Sequence, residues 1–177
     1  LPALERIGLR VLVNESIAVE HDGARLHLSG VDDPHYFKAD DVQAALQTIP
    51  TDATSILLAH SPEVFARAAE AGFDVLLSGH TLGGRYRLPG GKPLMRRTRA
   101  PRVMCRGRWR FGPLQGYTSA GCGLPQRRSL LDGAPEIAFH TLRCAARPQD
   151  ARGAPTANAG TASVRSTGVA AGWQRRG

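Results

Sequence analysis

The chain has 177 residues, 42% of them hydrophobic and 6% aromatic, which is the composition of one ordinary globular domain with its own core. Its formal net charge is +8 and unevenly spread: residues 1–80 carry 12 acidic and 5 basic side chains, whereas residues 81–144 carry 2 acidic and 13 basic ones. No run approaches the roughly 18 apolar residues of a membrane-spanning helix, and no signal-peptide pattern opens the chain, so the sequence predicts a chain that is soluble as given.

The first elements predicted along the chain are extended. Residues 9–14 alternate and are rich in β-branched side chains, which is typical of a strand. Two further short runs, residues 17–20 and 24–28, flank the dipeptide Asp22-Gly23, a strong signal for a tight turn. The sequence therefore predicts an antiparallel hairpin here. Because the chain begins at Leu1, inside an amphipathic segment and without a methionine, we expect it to be part of a longer protein.

Two adjacent carboxylates, Asp32 and Asp33, follow the second strand of this hairpin and precede Pro34. Paired aspartates can bind a metal ion or act as acid and base. Asp-Asp-Pro is also a common turn sequence, because short polar side chains bond to the backbone that follows them. We favour the turn.

The middle of the chain predicts a strand–helix–strand unit. A short helix, capped by Asp40 or Asp41 and ending before Pro50, comes first. Residues 55–59 form a continuous apolar run, typical of a strand buried on both faces. A helix of about ten residues then begins at Pro62, and residues 74–77 form the next strand. A crossover of this length makes the two strands parallel.

Two histidines mark the ends of these parallel strands. His60 follows the first strand and His80 follows the second, inside the glycine-rich stretch of residues 78–84. Ligands of open α/β sheets bind just beyond the carboxyl ends of such strands. The sequence therefore predicts that both imidazoles lie at one edge of the sheet and share one metal ion. A purely structural, hydrogen-bonding role for each histidine is the alternative.

The remaining chain is basic and then of low complexity. Residues 85–128 contain 12 lysines and arginines and no acid, and they predict loops and short strands, one of them near residues 116–119. Residues 136–142 alternate well enough for a final strand. Residues 145–177 are rich in Ala, Gly and Arg and poor in large apolar side chains, so we expect a disordered tail after a domain of residues 1–144.

The three cysteines, Cys105, Cys122 and Cys144, are odd in number and have no Cys-x-x-Cys spacing. They indicate neither a disulfide framework nor a zinc knuckle.

The sequence around the two histidines resembles the C-terminal half of calcineurin-like metallophosphoesterases, in particular a bacterial phosphodiesterase-like group whose members are often membrane-attached. The matching stretches span about residues 8–142. They are Val11-Leu12-Val13-Asn14, Gly30-Val31-Asp32-Asp33, Leu57-Leu58-Ala59-His60-Ser61-Pro62, Asp74-Val75-Leu76-Leu77-Ser78-Gly79-His80-Thr81, Gly83-Gly84, Gly121-Cys122-Gly123 and Pro135-Glu136-Ile137. The resemblance implies an α/β sandwich, here its C-terminal half, with a mixed sheet that contains the parallel unit. It also implies a cytoplasmic or peripherally membrane-associated protein.

The resemblance further implies a binuclear site of Mn, Fe or Zn ions, in which metal-bound hydroxide hydrolyses phosphomonoester or phosphodiester bonds. His60 matches the family's lone histidine and His80 the first histidine of Gly-His-x-His, both of them ligands of one metal. The family motifs Asp-x-His, Gly-Asp-x-x-Asp and Gly-Asn-His are absent, and we expect them before Leu1. At most one partial metal site is therefore expected, and no catalytic residue is assigned within this chain.

Two positions depart from the family's pattern. Leu82 stands where the second histidine of Gly-His-x-His belongs, and an isobutyl group offers no lone pair to a metal. Arg85 stands where a glutamine usually follows the glycine pair, and we assign it to an anionic phosphoester substrate. We expect this chain by itself to be inactive.

Two other functions stay open. The acid-free segment of residues 85–128, with Trp109, Phe111 and Tyr117, has the charge and the rings of a nucleic-acid-binding module. A non-catalytic, degenerate remnant of the phosphoesterase domain is the other possibility, favoured by Leu82 and the absent motifs.

Overall fold

A six-stranded mixed sheet with helices on one face forms the body of the protein. The computed structural model describes residues 2–82, 98–122, 136–146 and 160–170. Strand order in the sheet is β1-β2-β3-β4-β6-β5, and a separate two-stranded sheet pairs β7 with β8. The strands are β1 (Glu15–His21), β2 (Ala24–Gly30), β3 (Ser55–Ala59), β4 (Val75–Ser78), β5 (Gly107–Phe111), β6 (Leu114–Thr118), β7 (Glu136–Ala146) and β8 (Gly160–Ala170), and the helices are α1 (Pro2–Arg6), α2 (Val42–Leu46) and α3 (Phe65–Glu70). The α/β class with a mixed sheet is as the sequence predicts.

The hairpin predicted around Asp22-Gly23 is confirmed. Strands β1 and β2 are antiparallel, with His21 opposite Ala24. Both turn residues have positive φ, 48° at Asp22 and 76° at Gly23, the conformation that a two-residue hairpin turn requires.

The strand predicted for residues 9–14 is wrong, because this segment forms a loop that joins no sheet. Asn14 has a φ of 55°, which no strand residue adopts. Its side chain instead bonds other loops: the amide donates to the Ala39 carbonyl, and Oδ1 accepts from the backbone of Asp32 and Asp41. These side-chain hydrogen bonds join the segment to neighbouring loops, whereas a strand would have been joined to a sheet by backbone hydrogen bonds.

The parallel unit is confirmed. Strands β2, β3, β4 and β6 are mutually parallel, so their carboxyl ends meet at one edge of the sheet. Helix α2 is capped by the Asp41 side chain, which accepts from the Ala44 N–H. The predicted second helix begins with a 3-10 turn (Pro62–Val64), capped by Ser61, and continues as α3.

The main core lies between the sheet and these helices. It includes the fully buried side chains of Leu57, Leu76, Val64 and Phe73. On the opposite face, Ile56 and Val75 are buried, but Leu58 is 38% exposed. The prediction that β3 is buried on both faces along its whole length is therefore wrong at Leu58, since no described helix covers that face.

Strands β5 and β6 form an antiparallel pair fixed by Trp109. The indole lies directly over Gly116, where an added Cβ would come within 2.2 Å of the ring. Its Nε1–H donates to the Thr118 hydroxyl over 2.9 Å. Only glycine fits beneath this ring.

The last predicted strand exists and is longer than expected, as β7 runs to Ala146. Its first residue, Glu136, bonds the Tyr117 hydroxyl, the Ala120 N–H and the Arg106 guanidinium, and so attaches β7 to the main sheet. Within the tail that we expected to be disordered, residues 160–170 pair with β7 as β8. The backbone hydrogen bonds between β7 and β8 stabilise this strand, although its side chains are small. The division at residue 144 stays a prediction.

Of the cysteines that the structure describes, Cys105 is buried and Cys122 is exposed. The helices among the described residues are all too short to cross a bilayer.

Candidate metal centre

His60 lies immediately after β3 and is exposed at the carboxyl edge of the sheet. Its backbone carbonyl accepts a hydrogen bond from the Gly79 N–H over 3.2 Å, just beyond the end of β4. This bond continues the pairing of the two strands by one residue past their ends. It fixes the two loops that carry the histidines relative to each other.

His80 occupies a strained turn. Its φ is 66°, and the Thr81 N–H bonds the Gly79 carbonyl over 2.7 Å, which makes His80 the central residue of a γ-turn with positive φ. This conformation is rare for a residue with a side chain and persists only where the surroundings impose it. Thr81 supplies that constraint, because its buried hydroxyl bonds the Cys105 carbonyl. The turn thus holds the imidazole at the sheet edge.

The two histidine rings meet at this edge. His60 Nε2 and His80 Nδ1 are 2.8 Å apart, within hydrogen-bond distance, and the ring centroids are 4.5 Å apart at an angle of 55°. The parallel strands bring the two side chains together as the strand–helix–strand pattern requires. Their role as metal ligands stays a prediction.

The pair fits part of a metal site. Two nitrogen ligands of one tetrahedral zinc ion lie roughly 3.3 Å apart, given Zn–N bonds of about 2.0–2.1 Å, so a separation of 2.8 Å needs to open only by a few tenths of an ångström. Within the described ranges, no three His, Cys, Asp or Glu side chains are arranged to hold a metal ion. Leu82, 39% exposed and with a φ of 51°, adds no donor. The described residues therefore bring two candidate ligands together and do not form a complete metal site.

Asp33 forms the turn that we favoured. Its carboxylate accepts the backbone N–H groups of His35, Tyr36 and Phe37. Burial acts to raise the pKa of Asp33, but these three donors and the nearby His60 outweigh it, and the pKa lies below its usual value. Asp32 in turn accepts the Asp33 N–H over 2.7 Å. Both carboxylates therefore accept backbone hydrogen bonds within the loop that follows β2.

Sequence reasoning missed His35 and Glu63. The His35 ring lies against His80, with centroids 4.3 Å apart, and His35 Nδ1 is 2.9 Å from Glu63 Oε1. A signal for His35 was present, because the loop that follows β2 leaves the sheet at the same edge as the loops after β3 and β4. Glu63 gave no signal beyond its place in the first turn of a predicted helix.

The residues of the alternative nucleic-acid surface are differently placed. Trp109 and Tyr117 are buried, at 8% and 7% exposure, and the polar atom of each is hydrogen-bonded, to Thr118 and to Glu136 respectively. Phe111 is more exposed but packs edge-on against Phe65. Two of the three rings are therefore not available for stacking on bases. Arg85 lies outside the described residues.

Comparison with known proteins gives distant relatives. The chain is 27% identical over 122 residues to a metallophosphoesterase named YkuE and 25% identical over 140 residues to a metallophosphoesterase named YkoQ, both of Bacillus subtilis. These matches cover 69% and 78% of the chain. A third protein of that organism, YpbG, is 36% identical over 81 residues, or 45% of the chain.

The chain spans 42% of YkuE, 51% of YkoQ and 31% of YpbG, so it covers about half or less of each of these relatives. No family model matches the chain, and no solved structure matches it significantly. The names of two distant relatives thus point to a phosphoesterase family of hydrolases that use metal ions.

Proposed function

We propose that this chain is part of a calcineurin-like metallophosphoesterase, a hydrolase of phosphomonoesters or phosphodiesters, in which His60 and His80 hold one divalent metal ion. The observation that carries the proposal is the 2.8 Å approach of His60 Nε2 to His80 Nδ1 at the carboxyl edge of β3 and β4. Two imidazole nitrogens this close suit neighbouring positions on one ion. The names of YkuE and YkoQ support the same reaction class.

The chain's own residues have distinct parts in this function. His60 and His80 bind the ion through Nε2 and Nδ1, and the strained turn fixes the second ring. Divalent ions, when bound, activate water and neutralise phosphoryl oxygens. Arg99 is exposed, and its backbone N–H bonds Glu63, which also bonds His35. Arg85 remains the residue that the sequence assigns to the anionic substrate.

Metal binding by the purified chain tests the proposal. Isothermal titration with Zn²⁺ should give one site per chain, and this site should be lost in His60→Ala and in His80→Ala. His21→Ala is the matched control, because His21 lies on the hairpin turn with 90% of its side chain exposed and should not affect the site. If Zn²⁺ binds His80→Ala as tightly as the unmodified chain, the assignment is wrong.

The alternative of a non-catalytic remnant is favoured by one observation, the apolar Leu82 beside His80. The two functions differ in what a longer protein would do. A phosphoesterase that contains residues 1–177 and the family's other motifs hydrolyses phosphoesters in a manner that depends on His80. A remnant binds metal weakly and hydrolyses nothing.

A further inference from the structure

Three imidazole rings stand in a row at the sheet edge, although the sequence pattern points to two. The His35 ring lies 4.3 Å from that of His80, which lies 4.5 Å from that of His60. Tyr36 contacts His35 and His80 edge-on, at 4.6 and 5.6 Å. His35 belongs to the loop after β2 and not to the strand–helix–strand unit. Asp33 binds the backbone N–H of His35, and a contact of the His35 side chain fixes the ring against His80.

That contact is Glu63, whose Oε1 accepts three hydrogen bonds from two other segments of the chain. The donors are His35 Nδ1 at 2.9 Å, the Arg99 N–H at 2.7 Å and the Thr98 hydroxyl at 3.0 Å. Thr98 Oγ1 itself accepts the Ala100 N–H, so its hydroxyl proton is free to point at Glu63. Only 11% of the Glu63 side chain is exposed.

The carboxylate is an acceptor in all three bonds. Burial acts to raise the pKa of Glu63, but the donors of Arg99, His35 and Thr98 outweigh it and the pKa lies below its usual value. An ionised carboxylate cannot donate, so the proton of the His35–Glu63 bond belongs to His35 Nδ1. This bond fixes both the tautomer and the ring plane of His35, as carboxylates do for imidazoles at metal centres.

We propose that Glu63 and His35 are positioning residues of the candidate metal centre: Glu63 holds His35, and the His35 ring holds that of His80 in the orientation in which Nδ1 faces His60 Nε2. This inference rests on the proposed function, because it assigns the pair to the site that His60 and His80 form. Neither residue has to touch the metal ion. Both act through His80.

The first test needs no metal. Long-range ¹H–¹⁵N spectra of the full chain should show His35 protonated at Nδ1, and Glu63→Ala should abolish this preference. Glu63→Gln keeps a carbonyl acceptor and should retain it. A His35 protonated at Nε2 in the unmodified chain would overturn the inference.

The second test is Zn²⁺ affinity by isothermal titration. Loss of residues that orient a ligand costs about 10- to 100-fold in affinity, so Glu63→Ala and His35→Ala should weaken binding by at least about tenfold. Glu63→Gln should recover most of the loss. Glu70→Ala is the control, since Glu70 lies exposed on α3. His35→Ala keeps the test valid if Glu63→Ala does not fold.

The outcomes separate the two proposals. If His80→Ala abolishes Zn²⁺ binding while His35→Ala and Glu63→Ala bind normally, the positioning role is false and the proposed function stands. If the unmodified chain binds no Zn²⁺, or His80→Ala binds it equally well, the proposed function fails, and the positioning role that rests on it fails as well.

Discussion

At the scale of single residues, His80 stands on unfavourable backbone, as does Leu82 two residues later. His80 and Leu82 both have positive φ, at 66° and 51°, a region in which a residue with a Cβ is strained. Strain of this kind, of order 1–3 kcal/mol for each residue, persists only when other contacts impose it. Thr81, buried between them and bonded to the Cys105 carbonyl, is the contact that does so here.

Leu82→His tests whether the site lacks only donors. The substitution places a third imidazole two residues beyond His80, on a side chain that is already 39% exposed. We expect Zn²⁺ affinity to rise about tenfold or more, because a third nitrogen ligand would fill one more of the four tetrahedral positions. Leu82→Ala removes the isobutyl group without adding a donor and should leave the affinity unchanged. Equal affinities of Leu82→His and Leu82→Ala would show that position 82 does not face the ion.

At the scale of elements, the sequence predicts the turns and strand pairings that depend on residues close together in the chain. Asp22-Gly23 predicts the first turn because few other dipeptides accept positive φ at both positions. The parallel unit follows from its crossover length. Residues 9–14 alternate as a strand does, but the Asn14 side chain is hydrogen-bonded to the backbone of a neighbouring loop and the segment joins no sheet.

The unpredicted features come from contacts distant in sequence. His35 and Glu63 are 28 residues apart, and their bond depends on how two loops lie at one sheet edge. Strand β8 is not predicted from the sequence, because its small side chains do not form a strand pattern. In the structure it pairs with β7. In the candidate metal centre, the proximity of His60 and His80 is predictable, because both follow parallel strands. The bond of Glu63 to His35 is not predictable from either strand.

The packing of β5 on β6 gives a stability prediction. In Gly116→Ala the new methyl group would lie 2.2 Å from the Trp109 ring, so the indole must move and its bond to Thr118 must break. We expect a loss of about 1–3 kcal/mol in the free energy of unfolding, measured by urea denaturation.

Gly79→Ala is the matched control for stability. A Cβ there meets no heavy atom closer than 3.9 Å, and its φ is not in the positive range. If both variants unfold at the same urea concentration, the indole does not pack on Gly116 as described.

At the scale of the whole molecule, the attachment of β7 makes stability depend on pH. Burial, and then the charge of Arg108, lower the pKa of His140, whose ring contacts Tyr117. Burial acts to raise the pKa of Glu136, but the Ala120 N–H, Tyr117 and Arg106 outweigh it and lower the pKa. In both cases the unfolded chain binds a proton at a pH at which the folded chain does not.

The free energy of unfolding should therefore fall in two steps as pH decreases. The first begins below about 6.5, the usual pKa of histidine, and the second below about 4.3, that of glutamate. Urea denaturation between pH 8 and pH 3 measures both. His140→Leu should remove the first step and Glu136→Gln should diminish the second, whereas His21→Ala should change neither. Identical pH profiles for His140→Leu and the unmodified chain would contradict this account.

The chain covers 31–51% of the length of the relatives it matches, and its described residues include no group of three or more His, Cys, Asp or Glu side chains that could hold a metal ion. Hydrolysis by two metal ions needs both of them about 3.5–4 Å apart. We therefore expect the purified chain to show no Mn²⁺-dependent hydrolysis of 4-nitrophenyl phosphate or bis(4-nitrophenyl) phosphate. Metal-dependent turnover that His80→Ala abolishes would show that the chain holds a complete site.

The central claim is that His60 and His80 bind one metal ion together, and imidazole ¹⁵N spectra during a Zn²⁺ titration test it most directly. The account predicts that His60 Nε2 and His80 Nδ1 change their chemical shifts in parallel and reach their end points at one equivalent of Zn²⁺, while His21 stays unchanged. Zn²⁺ that shifts only one of these two nitrogens, or shifts His21 to the same extent, would contradict it.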